Sequence, residues 1–334
     1  MKETDKILIG HGSGGRLTRE LVNEVFIRTL GDRATGGLDD GAVLPACGDK
    51  LVYTTDSYVV SPLEFPGGDI GSLAVSGTVN DLAVMGARPL YLSLGAVLEE
   101  GLEIGLLKKM VASIARTAEM ADVRIMCGDT KVVERGKGDK IFFNTSGIGR
   151  LEHELDFGSI HSGDKVLING TIGDHGMTLL TLRKGFPLQS ALTSDCAPLN
   201  RLIHKAVSTG AVKWMRDPTR GGVATALTEL VEGRDWCVEL QENSLPHHPA
   251  VEEMAELLGL DPLYSANEGK VLMVVDGRRA EEVLARLKTD TLGKKSAIIG
   301  DVTDAYSEKV ILHTAFGTRR TLGMLNSDPL PRIC

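Results

Sequence analysis

Two periodicities alternate along the first part of the chain. After the glycine-rich stretch "GHGSGG" (Gly10 to Gly15), Leu17, Leu21, Val22, Val25 and Phe26 recur at helical spacing, with Ser13 available near the N-cap. "KLVYTTDSYVV" alternates instead and predicts a strand from Leu51 ending at Asp56. "DIGSLAVSGTVNDLAVMGA" reads as a buried helix of small residues, its apolar face interrupted by Asn80 and Asp81. "RPLYLSLGAVLE" predicts a strand, "EIGLLKKMVASIARTAEM" an amphipathic helix, "VRIMCGDTKV" a strand ending in a loop, and "DKIFFNTSGIGR" a further strand.

The stretch "LEHELDFGSIHSGD" breaks this pattern, and "DKVLINGTIGDHGMTLLTL" then starts a second strand-loop-helix series. That series runs through a helix after Asp195, a helix in "MRDPTRGGVATALTELVEG", the strand "CVEL", a helix near 249–258, the strand "KVLMVVD", the helix "RAEEVLARLK" and the strand "SAIIGDV". A chain of 334 residues exceeds the size at which one core usually keeps growing. The expected organisation is therefore two α+β domains, 1–150 and 151–320, and a proline-punctuated tail, 321–334.

Composition narrows the function classes. The formal charge is −8, from 45 acidic and 37 basic residues, with no long basic block, so binding to a nucleic-acid backbone is not expected. No apolar run approaches the ~20 residues of a membrane span, and the first residues lack a signal-peptide core, which points to the cytoplasm and away from the membrane. The five cysteines (47, 127, 196, 237 and 334) are widely spaced and contain no C-x-x-C pair, which argues against a disulfide framework and a zinc site.

Candidate chemistry lies in acidic residues at the ends of predicted elements: Asp39 and Asp40 in "LDDGA", Asp56 in "TTDS", Asp81 in "VNDLA", Asp129 in "CGDTK" and Asp217 in "RDPTRGG". Each alone is equally a helix cap or turn residue. Converging in space, they would need cations, and hard oxygen donors favour Mg²⁺ bridging to a nucleotide triphosphate. "GHGSGG" can turn backbone N–H groups toward an anion without being a lysine-containing P-loop, and Arg220 in "TRGG" offers a guanidinium fork. Lys131 after the "CGDT" turn and Glu268 in "SANEGK" read from spacing alone as surface charges, His11 and His175 as polar loop residues, and His247 and His248 as part of a turn. The sequence finishes on the thiol of Cys334, at the end of a segment from Asn326 that spans at most roughly 30 Å when extended. Pro329 and Pro331 stiffen this arm, Ile333 offers an apolar anchor, and Arg332 offsets the neighbouring negative charge.

"HGSGG", "TTDS", "FPGGDIG", "NDLAV", "GDTKVV", "GDHG", "RDPTRGGV" and "ANEGK", in this order, resemble the superfamily of ATP-dependent enzymes that includes aminoimidazole ribonucleotide synthetase, selenophosphate synthetase and thiamine monophosphate kinase. The "PRIC" ending is similar to the carbamoyl dehydratase branch, which acts in hydrogenase maturation, and this likeness runs over essentially the whole chain. The resemblance implies a two-domain α+β, PurM-like fold whose N-terminal domains pair in a homodimer through a shared β-barrel, a partner for which the small-residue helix 72–87 would suit close packing. It implies ATP and Mg²⁺ as cofactors, and dehydration of a thiocarboxamide on Cys334 to a thiocyanate, a cyanide source for the iron of [NiFe] hydrogenase. The implied partners are the carbamoyltransferase HypF, which loads the thiol, and HypC and HypD, which accept the cyanide. Carried onto matching positions, Cys334, Lys131 and Glu268 would be catalytic; Gly12, Ser13, Gly14, Gly15, Asp56, Asp81, Gly128, Asp129, Thr130 and Arg220 would bind nucleotide; Asp39, Asp40, Asp81 and Asp217 would hold metal. Two other expectations stand beside it: a small-molecule synthetase or kinase of the same superfamily, for which Cys334 is dispensable, and a scaffold that presents its tail without chemistry of its own.

Overall fold

The computed structural model describes residues 6–12, 16–34, 44–45, 48–186, 192–325 and 332–334. The first half builds one four-stranded sheet from β1 (Leu51–Tyr58), β2 (Ala87–Glu99), β3 (Arg124–Val133) and β4 (Ile141–Leu151). Its spatial order is β1-β4-β2-β3, with β4 antiparallel to both neighbours and β2 parallel to β3. Helices α1 (Ile70–Val84) and α2 (Ile104–Ala121) pack together on this sheet, α1 lying against β1 and β4. Asp69 starts α1 with a capping box: its carboxylate accepts the Ser72 N–H at 2.9 Å, and its own N–H donates to the Ser72 hydroxyl at 2.9 Å. Nearly every residue of α1 is buried within the chain, so its small residues serve intrachain packing. The expectation that they suit contact with a second copy is replaced by this.

The second half holds α3 (Asp174–Arg183), α4 (Asn200–Val207), α5 (Gly222–Val231), α6 (Pro249–Leu258) and α7 (Ala280–Lys288). Its strands are β5 (Lys165–Ile168), β6 (Val212–Arg216), β7 (Cys237–Gln241), β8 (Leu272–Val275), β9 (Ala297–Thr303), β10 (Val310–His313) and β11 (Arg319–Leu322). They form a seven-stranded sheet in the order β11-β10-β7-β9-β5-β8-β6. Side-chain alternation explains why both faces are covered. Val166, Ile168, Leu272 and Val274 join a core with α5, whereas Leu167, Met273 and Val275 join another with Leu202, Ile203, Val283 and Leu287 of α4 and α7. Ala83 and Val84 of α1 enter that second core, which ties the halves together.

Three features differ from the sequence reading. "GDTKV" continues β3 as strand, because Gly95 to Glu99 pair in parallel with Asp129 to Val133. Strands β10 and β11 are added, and β11 runs through Leu322, past the expected start of the tail. His11 is buried and its Nδ1 accepts the Leu8 N–H at 2.9 Å, a loop-closing role and not that of an exposed polar residue. Among the described residues, no helix is long and apolar enough to cross a membrane.

Candidate active site

The last three residues lie against the segment 59–61, hydrogen-bonded to its backbone. The Ser61 N–H donates to the Arg332 carbonyl at 3.2 Å and the Val59 N–H to the Cys334 carbonyl at 3.0 Å. Between them, Ile333 is 1% exposed within the first-half core, where its burial contributes about 1.5–3 kcal/mol relative to solvent. Arg332, in the left-handed region at φ 59°, turns the chain and pairs with Asp139.

This places the half-buried Cys334 thiol beside Arg220, Glu268 and Asp56. Burial pushes the thiol up to about 12, the Glu268 charge adds to this, and the Arg220 charge pulls the other way. Glu268 is 3% exposed, and its Oε1 has no hydrogen-bond partner among the described residues. Burial, then the charges of Asp195, Asp217 and Asp56, hold its carboxyl well above the usual carboxylate range. Asp81 accepts the Thr54 hydroxyl at 3.0 Å and is raised to about 6, chiefly by burial and further by Asp56. Asp217 is raised to about 7 by burial and then by Asp81. Asp56 on β1, Asp81 on α1, Asp217 after β6 and Glu268 before β8 thus form one electrostatically coupled group.

Buried polar side chains hold the loops that carry it. Asp195 accepts the N–H groups of Glu268 at 3.2 Å and Gly269 at 3.1 Å, and the Lys270 ammonium at 2.8 Å. A Cβ on Gly269 would fall inside the Asp195 carbonyl, so only glycine lets the two loops approach this closely. Asn267 accepts the Gly173 N–H at 2.8 Å and donates to the Pro218 carbonyl at 2.9 Å, joining three motif loops. Asn80 accepts the Leu199 N–H at 2.7 Å, which fixes α1 against the Asp195 segment. Sequence reasoning gave none of these an organising role; their signal was a polar residue enclosed by small and apolar neighbours, as in "ANEGK".

A second group lies at the other edge of the first sheet. Gly12 packs on β3 so closely that a Cβ would stand 2.5 Å from the Val132 nitrogen. Gly128, Asp129, Thr130 and Lys131 continue along β3, where Asp129 accepts the Thr130 N–H at 2.9 Å and pairs with Lys131 at 3.3 Å, both side chains about two-thirds exposed. With β4 and β2 intervening, β1 and β3 are separated by about 14 Å along the sheet. Within one chain the fold therefore assembles Cys334, Glu268, Arg220, Asp56, Asp81 and Asp217, and holds Gly12, Gly128, Asp129, Thr130 and Lys131 apart from them. Ser13, Gly14, Gly15, Asp39 and Asp40 lie outside the described residues.

Glu152 and His153, adjacent in sequence, and the remote His204 bring donor atoms within 4.8 Å of one another beside a cavity of about 480 Å³. Arg150 hydrogen-bonds Glu152, and Arg88 and His204 also offset its charge, so this carboxylate already has cationic partners.

Both halves match known family models: residues 38–151 the N-terminal domain, and residues 161–313 the C-terminal domain, of AIR synthase related protein. The two sheets and the loops converging between them define an enzyme of that class. Carbamoyl dehydratase HypE of Escherichia coli (strain K12) is 45% identical over 337 residues, covering 99% of this chain and all of the relative. A crystal structure of hydrogenase maturation protein HypE in complex with ATP superimposes with a TM-score of 0.94 at 44% identity, covering 98% of this chain and 99% of that one. HypE in a HypE–HypF complex gives a TM-score of 0.80 at 42% identity, over 93% of this chain and all of that one. The chain belongs to the HypE family, the carbamoyl dehydratases of hydrogenase maturation.

Proposed function

We propose that the chain dehydrates a thiocarboxamide carried on its own Cys334 to a thiocyanate, the cyanide source for hydrogenase iron. One observation carries the reading: the terminal thiol is held among Glu268, Arg220 and Asp56, next to Asp81 and Asp217. The carboxylates fit a hard dication, because Asp81 and Asp217 sit at about 6 and 7 through burial and the charge of neighbouring carboxylates, which a bound cation would relieve. Asp56, Asp81 and Asp217, with Asp39 or Asp40, would hold Mg²⁺. Gly12 to Gly15, Gly128, Asp129, Thr130 and Arg220 would contact the nucleotide, and the ATP-bound relative supports this choice of cofactor.

The division of labour follows from leaving-group chemistry. An amide oxygen departs poorly as oxide; ATP supplies the phosphoryl group with which it departs as phosphate. The nitrogen loses two protons as the S–C≡N group forms. Glu268, with a free buried oxygen and a raised pKa, is a stronger base than an exposed carboxylate and stands beside the sulfur that bears the reacting carbon. Arg220 balances charge at the same place. Lys131 would come from a second copy: among the described residues β1, with Leu51 and Tyr53 exposed at 55% and 67%, and β3, bridged only by Ala34 at Ile125, are the outer strands of the first sheet, and their pairing between copies would form a shared barrel.

HypF is the proposed loading partner, supported by the HypE–HypF complex, with HypC and HypD as cyanide acceptors. The test is an intact mass after incubation with ATP, carbamoyl phosphate and HypF. The expected result is gain of a carbamoyl group followed by loss of one water, both mapped to Cys334 and absent in Cys334→Ala. A Cys334→Ala variant that turns over normally would overturn the reading.

A further inference from the structure

His175 of "GDHG" takes no part in this chemistry, yet it is fully buried and touches the tail. This corrects its reading as a polar loop residue. The ring stands edge-on to Phe65, with centroids 5.4 Å apart. Its tautomer follows from directionality. The Ile333 carbonyl can only accept, so Nε2 carries the proton and donates to it at 2.8 Å. Nδ1 is then an acceptor for the Ser194 hydroxyl at 2.8 Å, whose oxygen accepts the Cys196 N–H at 3.1 Å. Burial also holds the imidazole below its usual pKa and hence neutral.

Arg183, eight residues further along the same helix, donates to the carbonyls of Ser61 and Arg332. Together with Val59 and Ser61, these groups engage the backbone carbonyls of Arg332, Ile333 and Cys334 in turn. Such contacts read main chain, as in strand addition, and do not depend on what the sulfur carries.

We propose that His175 and Arg183 form a clamp on the tail backbone that sets the balance between a docked Cys334 and a released one open to the carbamoyl donor. Both are positioning residues, since neither touches the reacting atoms, and the clamp rests on the reading of Cys334 as carrier. A docked thiol is shielded by the protein, whereas a released one is open to solvent, so its alkylation reports release.

The test is alkylation of the full chain by iodoacetamide at pH 8, with the Cys334 peptide quantified by mass spectrometry and added N-acetylcysteine as the reference thiol. His175→Ala should speed Cys334 alkylation roughly five- to a hundredfold, the usual effect of losing one buried hydrogen bond. His175→Gln, which keeps a donor, should restore much of the protection. Exposed Arg183→Met should also speed alkylation and serves if His175→Ala fails to fold. In the coupled assay, clamp variants should load carbamoyl faster and dehydrate it more slowly, whereas general destabilisation slows both. Unchanged Cys334 protection in the folded variants, equal slowing of both steps, or wild-type Cys334 reacting as fast as free N-acetylcysteine would overturn the clamp. Alkylation needs neither ATP nor turnover, so absent thiocyanate with an intact clamp response would refute the proposed reaction alone.

Discussion

Replacing Asp217 by asparagine removes one charge from a site where carboxylates crowd together. Its pKa of about 7, against 3.8 for an unperturbed aspartate, means that the folded protein binds the proton more tightly than the unfolded chain does. The sign follows from linkage: between these values the native state carries the extra proton, so stability falls as pH rises, and the penalty is complete above about pH 7. Three units at about 1.4 kcal/mol each give an upper bound of about 4 kcal/mol. Titration is shared with Asp81 and water reaches the site, so about 2 kcal/mol is the working figure. Asp217→Asn, nearly isosteric, should therefore raise the thermal midpoint by about 3 °C at pH 8 and leave it nearly unchanged at pH 4. Scanning calorimetry of nucleotide-free and magnesium-free protein at the two pH values measures this. An equal shift at both, or a less stable variant at pH 8, would refute the electrostatic origin. The same variant should lose dehydration, so the carboxylate costs stability and serves the reaction.

Glu268→Gln should accept carbamoyl on Cys334 normally but slow dehydration by about 10²-fold or more, seen as accumulated thiocarboxamide by intact mass; a normal thiocyanate yield would remove Glu268 from the mechanism. Lys131→Ala removes only an exposed ion pair, so stability should change by less than about 0.5 kcal/mol while thiocyanate yield drops. Full yield would exclude Lys131. Gly269→Ala forces a Cβ into the Asp195 carbonyl and should destabilise the fold by about 3 kcal/mol in urea titration; near-native stability would mean that the loop relaxes freely.

Much of the architecture was legible because it is local. The amphipathic run of α2 and the small-residue run of α1 predicted their helices, and alternation predicted β1, β2 and β4. Strand β3 was cut short at "GDT", since glycine and aspartate favour turns locally, and only pairing to β2 keeps them extended. Strand β11, "RRTL", carries three exposed residues of four and gave no pattern to read. At the site, Glu268 read from spacing as a surface charge and entered through family likeness; its burial under the Asp195 loop is a tertiary fact.

The residue order by itself determined two α+β halves, an acidic set at element ends, and an apolar residue beside a final thiol, because propensity, periodicity and chemical type act over a few neighbours. Which carboxylates meet, and that His175 grips the tail while Lys131 stands at the opposite sheet edge, only the folded chain decided. The physical reason is distance: pKa values of about 6 and 7 and a free buried oxygen arise from burial and from charges contributed by segments far apart in sequence.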